Sequence, residues 1–483
     1  MSLAPSAEQV SDVRRQTRRG ITRRQALGAA VAAGVGVGAV RLLGGSMQDL
    51  AKPRAGSGTD WISPLGSESA RVMQLLRRTS FGYTRAQLES ALSDGFNKTV
   101  DSLIETKPAD PVPLAAASTP GGRFPVAQLQ QWWLDHMLTT STPFAERMTL
   151  FWHGHFTSDY RKVGDENFMY WQNLTWRRMS LTDMRSMLMQ VTTDPAMLRY
   201  LDLATSTGQN PNENYSRELM ELFTMGPGNF TEDDVRQSAK ALAGWQLPQP
   251  DSYATVMTRR LPVHTTQKPG TFNPKRAFSG NITYLGKSGP LDTQGVIDRI
   301  LAQPVTAQFI ATKVARHFVT AQPDPGYVNT LADTFRRSKY DMKTLMHAVF
   351  TSSQFNAAPS YRTLVKTPTE FMLHAAQAVG ASKVSKLVAT AGSGMGQSLF
   401  DPPDVNGWPN NESWISSNTV VERVNFVTAA LGQVKTSLPA ALDAPKTFLD
   451  GVVSPQTASL LNHAGDDRAR WFITLASPEF QLK

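Results

Sequence analysis

TPFAERMTLFWHGHFTS, residues 142–158, reads as one helix and the place where it stops. Thr142 is of the type that caps a helix N-terminus, and Pro143 suits the first helical position, whose N–H has no partner in any case. Gly154 is the natural stop, because glycine readily adopts the left-handed conformation that ends helices. The same punctuation recurs from Ser67 onward. Thr231 precedes Glu232, Asp233 and Asp234, three acids on the positive end of a helix dipole, ahead of the apolar positions Val235, Ala239 and Leu242. Similar signals open segments near Ser180, Pro304, Thr367 and Ser454. The sequence therefore predicts an all-α fold, a large multi-helix body.

Residues 251–290 are the exception. They are rich in Thr, Pro and Gly with alternating apolar positions (YATVMTRRLPV, NITYLGKSG), and predict a small β-hairpin or loop insertion. No fixed-period repeat is present. The organisation expected is a targeting segment over 1–50, a linker over 51–66, a helical domain over 67–432, and a C-terminal extension with a final helix over 433–483.

The 483 residues carry a formal charge of +9, but the first 45 hold seven arginines against Glu8 and Asp12. That accounts for +5, leaving +4 for the other 438 residues, too thin an excess for a polyanion groove. With no interleaved basic and aromatic motif, nucleic acid is not expected as a partner. Cysteine is absent, which excludes disulfides, thiolate zinc sites and cysteine nucleophiles.

TRRQALGAAVAAGVGVGAVRLLGG joins paired arginines to an apolar run from Ala26 to Val40, closed by Arg41. That length suits a signal-peptide hydrophobic region and falls short of the roughly 20 residues a spanning helix needs. It resembles a twin-arginine export signal, with Thr22, Arg23, Arg24, Gln25, Ala26 and Leu27 as the hexad, although Ala26 stands where that pattern prefers phenylalanine. The resemblance implies an exported protein, periplasmic, cell-surface or secreted, that meets the twin-arginine export machinery. Removal near Gly44 to Ala55 and retention as an anchor both stay open, as does a basic tail with a small buried helix.

His153 and His155 are two of only eight histidines. Residues two apart on a helix point about 200° away from each other, so the pair can converge on one metal ion only if Gly154 ends the helix between them. The alternative is two capping or core histidines hydrogen-bonded among Phe151, Trp152 and Phe156. A second constellation lies in NPNENYSRELMELFTMG, residues 210–226. At 100° per residue, Asn214, Arg217, Glu218 and Glu221 share one stripe while Tyr215, Leu219, Leu222 and Phe223 form an apolar face. Such a stripe offers carboxylates to a metal, or an acid and a base set apart by Arg217. The alternative is a solvated face laced by Arg217–Glu221 pairing. In FDPPDVNGWPNNESWI, residues 400–415, two prolines and Gly407 predict a rigid turn presenting Trp408, with Trp414 close behind. Exposed tryptophans on a stiff loop suit stacking against sugar rings, and buried ones would seal two helices. No H-E-x-x-H, G-x-S-x-G or P-loop pattern occurs.

Several stretches together resemble the bacterial family catalogued as "domain of unknown function 1800". They are QLLRRTSFGYT (74–84), FWHGHFTS (151–158), NENYSRELMELFTMGPGNFTEDDV (212–235) with the AKALAGW that follows, NITYLGKSG, the stretch from Pro304 to Lys313, and FDPPDVNGWPNNESWI (400–415). The resemblance covers nearly all of 68–430 and implies export and a sulfatase-like partner of the family "domain of unknown function 1501". It also places His153, His155, Asn214, Arg217, Glu218 and Glu221 within family motifs. Many members carry Arg-His-Asp before the segment matching NITYLG, where this chain reads Arg276-Ala277-Phe278. If that pair supplies ligands, this chain lacks them, which favours a degenerate site or a binding role.

Two functional expectations follow. In the first, an exported hydrolase or lyase acts on an envelope or extracellular polymer. One divalent transition metal sits on His153 and His155, Glu218, Glu221 and Arg217 are the catalytic groups, and Asn214, Trp408 and Trp414 bind substrate. In the second, a non-catalytic envelope protein binds glycan or escorts its sulfatase-like partner. Histidines and glutamates gathered in one cleft favour the first, and dispersal favours the second.

Overall fold

The computed structural model describes residues 62–115, 124–256, 259–434 and 438–483. The export-signal hexad therefore lies outside the described residues. Helices dominate, as predicted, and the sequence's stop and start signals mostly operate as read. Thr231 and Thr367 each close a capping box, with Asp234 and Glu370, and Ser454 accepts from the Thr457 N–H. Pro304 opens its helix at the first turn. The signal near Ser180 is displaced, since that helix runs Met184–Thr193 and is capped by Asp183. Thr142 precedes Pro143 as expected but caps nothing with its side chain, which instead accepts from the Ala109 N–H at 3.0 Å.

The helix Pro143–His155 lies at the centre of the body, packed by Glu68–Thr79 and Glu166–Arg178. Its own Trp152 and the neighbouring Trp133 and Trp176 are each 0 % exposed. Full burial of one large apolar side chain contributes roughly 1.5–3 kcal/mol. Glu146 is buried in the same helix, where Arg177 and the Trp133 indole N–H (2.8 Å) bind its carboxylate. Burial would raise its pKa, but Arg177 and His136 hold it at about 2.

Gly154 does not end the helix. It stays helical, the last helical residue is His155, and Phe156 caps it at φ −96°. Tertiary packing overrides the glycine's local preference. Here the Phe156 ring is 0 % exposed, stacked on Trp152 at 5.2 Å, and that burial turns the chain out.

The insertion consists of small antiparallel pairs and begins slightly before 251. Trp245–Gln246 pairs with Thr271–Phe272, Trp245 lying opposite Phe272, and brackets the pair Ser252–Val256 and Arg259–Val263. Ile282–Tyr284 then pairs with Lys287–Gly289. The turn between them puts Leu285 at φ +46° and Gly286 at +74°, the primed geometry that matches strand twist, and Asp234 accepts from the Leu285 N–H at 2.8 Å.

Residues 438–483 are built into the body. Helix Asp467–Ala476 packs on helix Ser417–Gln433, and the final residues run antiparallel to 364–366. This return brings Lys483, 4 % exposed, beside Glu370 near the centre of the molecule.

Candidate functional site

Because Gly154 remains helical, His153 and His155 face opposite sides of one helix and hold different partners. The His153 Nε2 accepts from the Phe400 N–H at 3.0 Å, amid the rings of Trp133, Phe400 and Trp408 at 5.0–5.2 Å. Burial alone drops its pKa to about 3, so the ring is neutral. The His155 Nε2 donates to the Phe223 carbonyl at 3.0 Å, which leaves Nδ1 to accept from the Lys313 ammonium at 3.3 Å. Burial, with Lys313 beside it, holds His155 well below the ordinary histidine range. The two rings therefore do not converge on one point. Among the described residues no group of three or more His, Asp or Glu side chains is arranged to hold a metal ion.

Each histidine locks one wall of a cleft of about 420 Å³. The floor is a face of the histidine helix: Leu150, Phe151, Gly154 and His155, spaced by four residues and so aligned. One wall is the helix Pro304–Phe318, which turns Lys313, Arg316 and His317 inward at i, i+3 and i+4. Opposite stands the tryptophan loop, bringing Asn406, Trp408, Asn410, Asn411 and Trp414. Lys483 closes the end beside Thr367 and Gln397.

The loop is seated by close approach. Gly407 has φ +82°, and a Cβ there would lie 2.4 Å from the Gly154 carbonyl oxygen. Phe400, at φ +64°, donates its N–H to His153 while its carbonyl accepts from the Tyr160 N–H at 3.0 Å. These contacts hold Trp408 half-buried at the lip, backed by His153. Trp414 lines the cleft at 2 % exposure, and its buried indole N–H has no acceptor among the described residues.

Lys313 is fixed from two directions. It donates to the Leu222 carbonyl at 3.2 Å and to His155, and it lies 4.9 Å from the centre of the Phe309 ring. Burial, with Arg316 one turn away, lowers its pKa to about 8. Behind the cleft, Glu370 binds both Arg147 and Lys483, the latter at 2.6 Å. Burial would raise Glu370, but those two cations hold it well below the carboxylate range. Lys483 itself falls to about 7, because burial outweighs the pull of Glu370.

The carboxylate stripe is elsewhere. Asn214 donates to Asp202 at 3.3 Å, and Arg217 clasps Glu232 of the next helix with two bonds of 2.7 Å, not Glu221 as spacing suggested. The helix Asn214–Glu221 is short, and the following helix offers a better-placed acceptor. Glu218 is raised above its ordinary pKa by burial and by Glu221. None of Asn214, Arg217, Glu218 and Glu221 lines the cleft. Glu218 lies near Tyr200, whose hydroxyl is raised to about 12 by burial and by the charges of Asp159, Asp404 and Glu218.

Residues 74–482 match the family described as "Protein of unknown function (DUF1800)". The chain belongs to that family. No curated protein and no solved structure matches it. In this DUF1800 chain the space around Ala277 and Phe278 is tight. A Cβ on Gly208 would meet the Ala277 carbonyl at 2.5 Å, and one on Gly244 would meet the Ala277 Cβ at 3.2 Å.

Of the residues singled out from sequence, His155, Trp408 and Trp414 share the cleft, and His153 supports it from behind. Sequence reasoning missed Arg316, Glu370, Lys483 and the asparagines, and gave no role to Lys313. Lys313 ends the motif at 304–313 and was within reach. Nothing local marks Lys483, which arrives through long-range packing.

Proposed function

We propose that this is an exported envelope protein that holds a glycan in the cleft between the lysine wall and the tryptophan loop, acting by binding. The observation that carries the reading is Trp408, a half-buried indole held rigidly at the lip by Gly407 and His153. It is ringed by the amides of Gln397, Asn406, Asn410 and Asn411. Sugars are recognised by an aromatic face against the C–H side of the ring and by side-chain hydrogen bonds to the hydroxyls. Export rests on the resemblance of Thr22–Leu27 to a twin-arginine hexad. No helix among the described residues is long and apolar enough to cross a membrane. The sulfatase-like partner belongs to this reading through the family resemblance, as a protein that this one would escort to polymer.

A second reading, a metal-assisted hydrolase or lyase, draws on Glu218, whose raised pKa suits a proton donor. It is the weaker one, because the histidines and glutamates are dispersed and both rings are committed to other partners. The test is a polysaccharide binding screen with the full chain, the Trp408→Ala variant and elemental analysis of the same preparation. Binding lost in Trp408→Ala, with the circular dichroism spectrum unchanged, is expected. Binding indifferent to Trp408 overturns the glycan reading. A stoichiometric transition metal that disappears on changing His153 and His155 favours the enzyme.

A further inference from the structure

The cleft has an electrostatic character that ring stacking does not explain. Three cationic side chains line it, Lys313, Arg316 and Lys483, and the one acidic side chain among its described lining residues is Glu412, exposed at the rim. Behind it lie Arg78, Arg147 and Arg423, each no more than 1 % exposed, and in this group only Glu370 answers them. Lys313 and Arg316 are one helical turn apart, and like charges at that spacing repel.

The hydrogen-bonding inventory has the same sign. The Trp414 N–H is buried and lacks an acceptor among the described residues, and the same holds for the Trp408 Nε1. Asn411 spends its amide oxygen on the Val365 N–H at 2.7 Å, which leaves its amino group as a donor. Arg316 makes no hydrogen bond or ion pair among the described residues. Lys313 places two of its N–H bonds on Leu222 and His155, so a third remains. Donors without acceptors gathered round a cavity call for an occupant that brings acceptors, and Lys313 and Arg316, which unlike Lys483 have no counter-ion among the described residues, call for one that is negative.

The geometry points to an acidic sugar unit as that occupant: a carboxylate or sulfate group bound by Lys313, Arg316 and Lys483, with its ring against Trp408. This rests on the glycan reading above and adds the charge of the ligand. Anion binding would stabilise the protonated forms of Lys313 and Lys483. The charged and titratable groups facing Lys313 are His155 and Arg316, and those facing Lys483 are Glu370, Arg147, Arg78 and His317. Both histidines in that set stay neutral through burial, and Glu370 stays ionised. Binding is therefore accompanied by proton uptake and strengthens as pH falls through about 8 toward 7, the values to which burial lowers Lys313 and Lys483.

The test is calorimetric titration of the full chain at low salt with four probes. They are an oligogalacturonide, its fully methyl-esterified form, a chondroitin sulfate oligosaccharide and inorganic sulfate. The oligogalacturonide or the chondroitin oligosaccharide is expected to bind at least about tenfold more tightly than the methyl ester, with affinity falling as salt rises. Which of the two prevails tells carboxylate from sulfate. Arg316→Gln, which removes an exposed side chain, should cost about tenfold with an unchanged unfolding midpoint, and Lys313→Gln should cost at least as much. Equal affinity for the methyl ester, lost in Trp408→Ala, overturns the acidic-sugar inference while leaving the glycan reading standing. Inorganic sulfate bound through Arg316, with no affinity for any sugar, overturns both.

Discussion

Replacing Gly407 with alanine should unseat the tryptophan loop, and the structure states why. At φ +82° the residue occupies backbone space that any Cβ makes unfavourable by roughly 1–2 kcal/mol. The added methyl would also lie 2.4 Å from the carbonyl oxygen of Gly154 and 3.2 Å from the Thr157 hydroxyl. The first of these is backbone inside a helix and cannot swing aside. Forced overpacking of this kind adds about 1–3 kcal/mol, so the expected loss is about 2–5 kcal/mol. The control is Gly154→Ala on the facing helix. There a Cβ meets nothing nearer than a Trp408 ring carbon at 3.9 Å, and alanine is the better helix former by up to about 1 kcal/mol. Urea unfolding followed by circular dichroism separates the two. Gly407→Ala should be clearly destabilised and Gly154→Ala neutral or stabilised. If Gly407→Ala costs less than about 1 kcal/mol, or if Gly154→Ala is the more damaging, the loop is not seated on the histidine helix as described.

The remaining predictions use the buried charges. His153 is held at about 3 when folded and is near its ordinary value when unfolded, so the unfolded chain binds the extra proton. Its contribution is fully present above pH 6.5 and is lost as pH falls toward 3, at up to about 1.4 kcal/mol per pH unit. His153→Gln should flatten that acid limb in stability measured against pH, and an unchanged slope would count against a buried neutral ring. Glu370→Gln leaves Arg147 and Lys483 buried without their counter-ion and should cost about 3–5 kcal/mol in chemical unfolding. Loss below 1 kcal/mol would show that the cluster is solvated. Lys313, lowered to about 8, should react with an amine-acylating reagent near neutral pH ahead of the exposed lysines, read by peptide mass spectrometry. An acidic oligosaccharide should protect it.

The helical body was readable because its signals are local: caps, prolines at first turns and amphipathic spacing act within a few residues. Thr231, Thr367 and Ser454 perform as their neighbours predict. Gly154 shows where such reading stops. Its local preference is to end the helix, yet tertiary packing of Trp152 and Phe156 decides the matter a residue later. That single difference turns two histidines from a converging pair into supports on opposite sides. The aromatic surroundings of both were legible in FWHGHF, but their partners Phe400, Phe223 and Lys313 were not, since hydrogen bonds across the fold leave no mark in spacing. The tryptophan loop was found from its prolines and glycine, and the glycine's role in close approach emerged only with the helix it touches. Lys483 was beyond any local argument, because the last residues reach the cleft by pairing with 364–366.

The most direct test is a crystal structure of the full chain bound to an acidic oligosaccharide. A sugar ring is expected against Trp408, with its anionic group within hydrogen-bonding reach of Lys313 and Arg316. A ligand bound elsewhere, or one in the cleft whose anionic group turns away from both side chains, would contradict it.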